Sequence, residues 1–357
     1  MLTTIQDAVK QLLPAKRKTN SASGWISFNG VCCQHNGESA DTRGRGGLVT
    51  NPDGGVSYHC FNCNFKANYT PGRHLNYKFR KLLTWLGASE NEVKRLVIDA
   101  LRVKELIAPE QLEKVEREEV TFKPRPLPED AVSFKEWETF IRLQDADDPV
   151  HPQFLKAFTY ITDRKIDYNR YDFYTTENEA YNLHKRVIIP FTWKGETIGY
   201  TARTWDDTVK PKYHNHHEPN YVYNVDGQAP DSKFVLVMEG PFDAMAIDGV
   251  AVLSNDCNEI QADIIESLGR EVIVVPDFDI KEVNGKLTWA GQRLVDQAIE
   301  FGWSVSFPVW SELPNCKDVS DAVRKYGRLF TLKTIIDGKQ SNKLKIELHK
   351  RKIVKKT

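Results

Sequence analysis

The stretch VIVVPDFDIKE, residues 272–282, decides how the second half of the chain is read. Val272 to Val275 form an apolar run suited to a buried strand, Pro276 ends it, and Asp277 and Asp279 follow one residue apart. Two like charges held so close repel each other, and folding alone gains nothing from them. A cation between them would remove that cost. Outward from this point the pattern is regular. KFVLVMEG, VAVLS, EVIVV and SVSFPVW read as strands, and PFDAMAIDG, QADIIESLG, WAGQRLVDQAIEFG and VSDAVRKYG as helices. Apolar strands alternating with helices predict a parallel sheet covered on both faces, and ligands of such sheets bind at the carboxyl ends of the strands. The acids lie at those ends: Glu239 after the first strand, Asp277 and Asp279 after the third, Asp318 and Asp321 after the fourth. Glu239, Asp277 and Asp279 offer hard oxygen ligands for one or two Mg2+ or Mn2+ ions.

The chain has 357 residues, enough for two or three domains, and its 49 basic and 49 acidic residues give no global field. Any electrostatic partner therefore meets a local cluster. The first residues carry an acid and no long apolar run, and nowhere do about 18 apolar residues follow one another, so the expectation is a cytoplasmic protein with no membrane partner. Residues 24–70 alternate in short runs, as in a small β unit that lacks a large core. YKFRKLLTWLG puts Phe79, Leu82, Leu83 and Leu86 on one helix face, and Ser89 with Glu92 forms a capping box for the next helix. Residues 113–130, charged and stiffened by Pro124, Pro126 and Pro128, read as a linker. Strands RVIIPFTW and ETIGYTART mark an α+β region beyond it. The C-terminal KLKIELHKRKIVKKT, with seven basic residues and one acid, reads as a loosely ordered arm. The expected divisions are 1–75, 76–130, 131–232, 233–330 and 331–357, in a multidomain α+β and α/β chain.

Four of the six cysteines fall in one N-terminal segment, which suits a metal site in a reducing compartment. Cys32 and His35 form one pair and Cys60 and Cys63 another, a spacing that fits a zinc ribbon holding one structural Zn2+. Cys33 and His59 are rival ligands, each one residue out of register. Arg43, Arg45 and Lys66, with Tyr58, Phe61 and Phe65, suit phosphates and stacked single-stranded bases, or else are ordinary surface charges and ribbon packing. His214, His216 and His217 read as solvated loop residues beside Tyr213, and Trp289 and Trp303 as packing. Cys257 and Cys316 have no assigned role.

VLVMEGPFDAMAI, VIVVPDFD and KDVSDAV together resemble the Toprim domain, and CCQH with YHCFNC resembles the zinc-binding domain of DnaG-type primases. The segment KRVIIPFTWKGETIGYTARTWDDTVKPKYHN resembles the N-terminal half of those primases' RNA polymerase domain. With no motor signature in the sequence, the chain is most similar to the stand-alone primases of tailed bacteriophages. The resemblance implies a zinc ribbon, a mixed α+β subdomain and a Toprim parallel-sheet subdomain. It implies that Glu239, Asp277 and Asp279 bind catalytic metal, with Asp318 and Asp321 as outer members. Arg186, Arg203, Lys210 and Lys212 match the family's basic positions, where nucleotide phosphates and template backbone would be held. The implied partners are a single-stranded DNA template, ribonucleoside triphosphates, a replicative helicase in trans and a single-stranded-DNA-binding protein. One departure is the insertion IKEVNGKLTW between Asp279 and Ala290, where the family continues at once into a helix. The alternatives are a Toprim-type nuclease on the same acids and a non-catalytic single-stranded-DNA-binding accessory protein.

Overall fold

The computed structural model describes residues 5–20, 24–106, 120–143, 149–283 and 286–355. The chain divides into two compact units, 1–120 and 121–357. The linker expected at 113–130 lies outside the described residues as far as 119. Beyond that it is no free tether: Phe122 packs edge-on against Trp193 at 5.1 Å, and the Arg125 amide donates to Thr197 O at 3.2 Å.

In the first unit α1 (Ile5–Leu12) precedes β1 (Lys18–Thr19), β2 (Ile26–Phe28), β3 (Gly46–Thr50), β4 (Val56–Cys60) and β5 (Lys66–Tyr69). These strands form one antiparallel sheet in chain order. Period-two alternation is plain in β4, where Val56, Tyr58 and Cys60 are buried. Two helices follow, α2 (Tyr77–Trp85) and α3 (Glu90–Leu106). Asn76 caps the first by accepting the Phe79 amide at 3.0 Å, and the Ser89–Glu92 capping box starts the second. Phe79, Leu82, Leu83 and Leu96 share one core with Phe28, Leu48 and Tyr58. The division expected at residue 75 therefore runs through a single core, larger than the short strands alone suggested.

The second unit holds two five-stranded sheets. It begins with β6 (Val132–Ser133), α4 (Phe134–Leu143), α5 (Pro152–Thr162), β7 (Tyr174–Thr175), β8 (Arg186–Trp193), β9 (Glu196–Thr204) and β10 (Tyr213–His217). β6 to β10 form an antiparallel sheet in which β8 and β9 match the two strands read from the sequence. The histidines expected in a loop lie on β10, an edge strand paired with β9 along Tyr213↔Arg203 to His217↔Gly199. Polarity hid this strand, since an edge strand can carry polar side chains on an exposed face.

The chain continues through β11 (Phe234–Met238), α6 (Pro241–Ile247), β12 (Val250–Ala251), α7 (Glu259–Ser267) and β13 (Glu271–Val274). Then come β14 (Ile280–Val283), β15 (Lys286–Trp289), α8 (Gln292–Phe301), β16 (Ser304–Ser306), α9 (Val319–Tyr326), α10 (Arg328–Asp337), β17 (Lys339–Gln340) and α11 (Lys343–Lys355). The sheet order is β12-β11-β13-β16-β17, parallel except for β17. The insertion after Asp279 is the antiparallel hairpin β14–β15, and the Ala290 amide closes its base on Asp279 O at 3.1 Å.

The expected boundary at 330 and the loose arm beyond it are corrected by the same structure. β17 adds a strand beside β16, and α11 is an ordered helix that buries Ile346 and ties Lys350 to Asp296 at 2.5 Å. The dense charge concealed that single apolar anchor. Among the described residues no helix is long and apolar enough to cross a membrane.

Candidate functional site

In the first unit the turn after β2 and the end of β4 bring four thiols together: Cys32, Cys33, Cys60 and Cys63, all within 4.8 Å of one another. Cys32 Sγ lies 3.3 Å from Cys63 Sγ, and Cys33 Sγ lies 3.5 Å from Cys60 Sγ. Cys33 thus stands in the tetrad where the sequence reading placed His35. The His35 ring instead stacks on Trp85, with centroids 4.8 Å apart, and His59 bonds to Asn64 at 3.0 Å. Four soft sulfur donors in a closed, mostly buried cluster fit Zn2+.

The surroundings support that fit. Burial pushes the Cys32 and Cys33 thiols up, whereas the amides of Cys63 and Asn62 overcome burial at Cys60 and hold its thiol below the usual value. A Cβ on Gly30 would stand 2.7 Å from Cys60 Sγ, so the close approach of backbone to the cluster needs glycine there. Asp41 fastens the loop by accepting the amides of Gly30, Arg43 and Arg45. Burial pushes its pKa up, but these bonds and the Arg45 side chain hold it down at about 2.

The basic and aromatic residues around this cluster divide. Arg43 and Lys66 are exposed, Arg45 pairs with Asp41 at 3.0 Å, and Phe61 is 66% exposed. Tyr58 is buried, its hydroxyl 3.4 Å from Cys32 Sγ, and Phe65 packs on Trp85. Tyr58 belongs to the core, and Phe65 is half-buried against it.

In the second unit a cavity of about 530 Å3 opens at the carboxyl ends of the parallel strands. The carboxylates of Glu239, Asp243, Asp277, Asp318 and Asp321 line it, and so do the cations Arg164, Arg203, Lys212, Lys317 and Arg324. Glu239 follows β11, Asp277 follows β13, and Asp318 caps α9 by accepting the Asp321 amide at 2.7 Å. The Asp277 amide donates to Glu239 Oε1 at 3.2 Å, and Trp289 Nε1 donates to Asp277 O at 2.6 Å. Asp279 is not among the described lining residues, although its charge acts on Glu239.

The electrostatics express the repulsion that the sequence implied. Burial pushes Glu239 up to about 7, opposed by the Asp277 amide and aided by the charge of Asp279. Burial, with the charges of Asp243, Glu239 and Asp318, pushes Asp277 up to about 9. Asp243, also buried and facing Asp318, rises to about 8 although it accepts the Ser320 amide at 2.8 Å. Asp318 rises too, mainly by burial. The cluster holds protons at neutral pH that a bound cation would displace.

The four basic positions expected to hold phosphates also separate. Arg203 and Lys212 line the cavity, and Arg203 is fixed by Nε donating to Tyr160 Oη at 2.9 Å and by its guanidinium lying over Tyr213 at 4.6 Å. Lys210 is exposed in the turn before β10. Arg186 is 1% exposed, and its guanidinium is spent on carbonyls: Tyr181 at 3.1 Å, Ala202 at 3.2 Å, Lys212 at 3.0 Å and Pro211 at 2.7 Å. It fastens two turns together and is not among the described residues that line the cavity.

Asp243, Arg164, Lys317 and Arg324 went unread in the sequence. Asp243 had a signal, since it falls one helical turn after Glu239 in EGPFD, and Lys317 directly precedes Asp318. Arg164 had none. Its Nη2 donates to Tyr160 Oη at 2.8 Å, a local contact four residues back, but its place in the cavity lining depends on how that helix end packs in the folded unit.

No protein-family model matches the sequence, and no curated protein matches it. Among solved structures the chain is similar to the RNA polymerase domain of Mycobacterium tuberculosis primase DnaG, at 17% identity and a TM-score of 0.41, over 54% of this chain and 78% of that one. It is similar to the E. coli primase catalytic core at 17% identity and a TM-score of 0.39, over 52% and 74%. It is also similar to the zinc-binding and RNA polymerase domains of Aquifex aeolicus primase, at 16% identity and a TM-score of 0.36, over 94% and 84%.

Proposed function

We propose that the chain synthesises short RNA primers on single-stranded DNA by metal-dependent nucleotidyl transfer. The observation that carries this reading is one cavity in which five carboxylates face five cationic side chains. Such a lining suits a polyphosphate bridged to acids by divalent ions. Glu239, Asp277 and Asp318, with Asp243 behind them and Asp279 and Asp321 at the margin, would hold Mg2+ or Mn2+, which supplies positive charge to the reacting phosphates. Arg164 and Arg203, both fixed on the Tyr160 hydroxyl, present guanidinium forks to a triphosphate. Lys212 and Lys317 add charge as pyrophosphate departs. The ribose 3′-hydroxyl of the growing primer attacks the α-phosphate of the next nucleotide, so no side chain serves as nucleophile.

The four cysteines would hold one structural Zn2+ and so keep the first unit in shape to present Arg43, Lys66 and Phe61 to the template. A replicative helicase in trans and a single-stranded-DNA-binding protein would be the partners of this activity in a phage-infected or bacterial cell. The test is incubation with single-stranded DNA, four ribonucleotides and Mg2+, with Glu239→Gln as control. New short RNA that disappears in the variant supports the reading. Shortened DNA without new RNA would replace it with the nuclease.

A further inference from the structure

Tyr181 and Asn182, between Glu179 and β8, both have φ of +55°. Consecutive non-glycine residues in the left-handed region are disfavoured, most of all where one is a bulky aromatic, and such outliers cluster where a side chain must be presented. Here the strained turn presents a ring to solvent. Tyr181 is 70% exposed, and its inner face stacks on His214 with centroids 4.4 Å apart and planes 18° from parallel. Tyr200, which is buried, lies beneath at 6.4 Å from the His214 ring and 5.3 Å from His216. Burial and the charge of Arg186 keep the His214 pKa below the usual value, which favours the neutral ring as a stacking partner.

The stack stands beside cationic side chains. The one guanidinium of Arg186 bonds both the Tyr181 carbonyl and the carbonyls of Pro211 and Lys212, which sets the Tyr181 turn against the turn bearing exposed Lys210 and Lys212. Lys212 also lines the acidic cavity. Along β10, Tyr213 and Asn215 face the cavity while His214 belongs to the stack on the other face. An exposed aromatic face with cations at its edge matches the chemistry of a base and its flanking phosphates.

We propose that Tyr181, seated on His214, is a stacking platform for one unpaired base of a single-stranded nucleic acid, whose phosphates pass Lys210 and Lys212 toward the cavity. This rests on the nucleic-acid reading above and adds to it where the strand runs outside the acidic site.

The test is fluorescence-anisotropy binding of a labelled oligothymidylate, and of the same oligomer with abasic sites, to the full chain without divalent metal. Wild-type protein is expected to bind the base-bearing strand about tenfold more tightly, the range for one stacked base. Tyr181→Gly should weaken binding of the base-bearing strand about tenfold and leave the abasic strand unchanged, while its melting temperature holds or rises, because glycine accepts a φ of +55° without strain. Tyr181→Phe should retain the preference. Preference undiminished in Tyr181→Gly overturns the platform and leaves the primer-synthesis reading standing. Equal binding of both oligomers by wild type also overturns it, and would mean that the exposed ring docks something other than a base. If wild type binds neither strand, the platform and the nucleic-acid reading fall together.

Discussion

The Asp277 backbone amide donates to the Glu239 carboxylate at 3.2 Å, joining the ends of adjacent parallel strands β11 and β13. One carboxylate is thereby oriented by the backbone of the other. Glu239→Gln keeps an acceptor for that amide and removes the charge. Primer synthesis is expected to fall by about a hundredfold or more, since charge stabilisation by a bound cation is worth several kcal/mol. Thermal stability without metal should hold or rise. Primer yield against Mg2+ concentration, beside a melting curve, checks both.

Asp243 predicts a pH dependence of the metal-free protein. Its carboxyl, near 3.9 in an unfolded chain, rises to about 8 on folding. Between those values the native state holds a proton that the unfolded state has released, so stability falls as pH rises through the window. The contribution is complete below about 4 and lost above about 8. Melting temperatures at pH 5, 7 and 9 should fall in that order, and Asp243→Asn should flatten the trend, with Asp277 leaving a residual slope. Saturating Mg2+ should also flatten it, because the cation replaces the protons.

Cys33 and His35 separate the two possible zinc tetrads. Cys33→Ser is expected to release the metal and to destabilise the first unit strongly, whereas His35→Ala should keep one zinc per chain and lose only the Trp85 contact. Elemental analysis with thermal melting decides between them. The opposite pattern would restore His35 as a ligand.

Arg186→Lys tests whether that guanidinium is structural. An ammonium cannot span three carbonyls on two turns and a fourth on β9, so the variant is expected to lose about 3 kcal/mol, as expected when charged hydrogen bonds are broken and buried acceptors left. Urea unfolding measures it. A phosphate-binding role would instead leave stability unchanged and weaken nucleotide binding in proportion to salt.

Trp289 holds the Asp277 carbonyl, and its ring stacks on Phe278 at 5.9 Å. Trp289→Phe removes the hydrogen bond and keeps an aromatic ring. The Mg2+ concentration for half-maximal activity should rise about tenfold, as for other groups that support metal ligands from behind. Little change in unfolding midpoint should accompany it.

Strand-level reading succeeded where period and apolarity were strong. RVIIPFTW and ETIGYTART coincide with β8 and β9, and the alternation after residue 233 gave the parallel sheet with its acids at the carboxyl ends. It failed where a residue's role depends on a distant neighbour. Arg186 looks like any basic residue until the turn at Pro211 folds over it, and Cys33 and His35 are separated only by which side chain turns inward. Tyr58 illustrates the same limit, since its alternating position in β4 places it in the core, away from any strand of nucleic acid. The tail was misread because its charge count outweighed one buried isoleucine.

The hairpin β14–β15 follows Asp279, and its two feet meet at the bond from the Ala290 amide to Asp279 O. Chain length can therefore change above that bond without displacing the carboxylates below. For protein engineering this makes the stretch between Asp279 and Trp289 a place to graft recognition peptides or tethers, provided Trp289, which holds the Asp277 carbonyl, is kept.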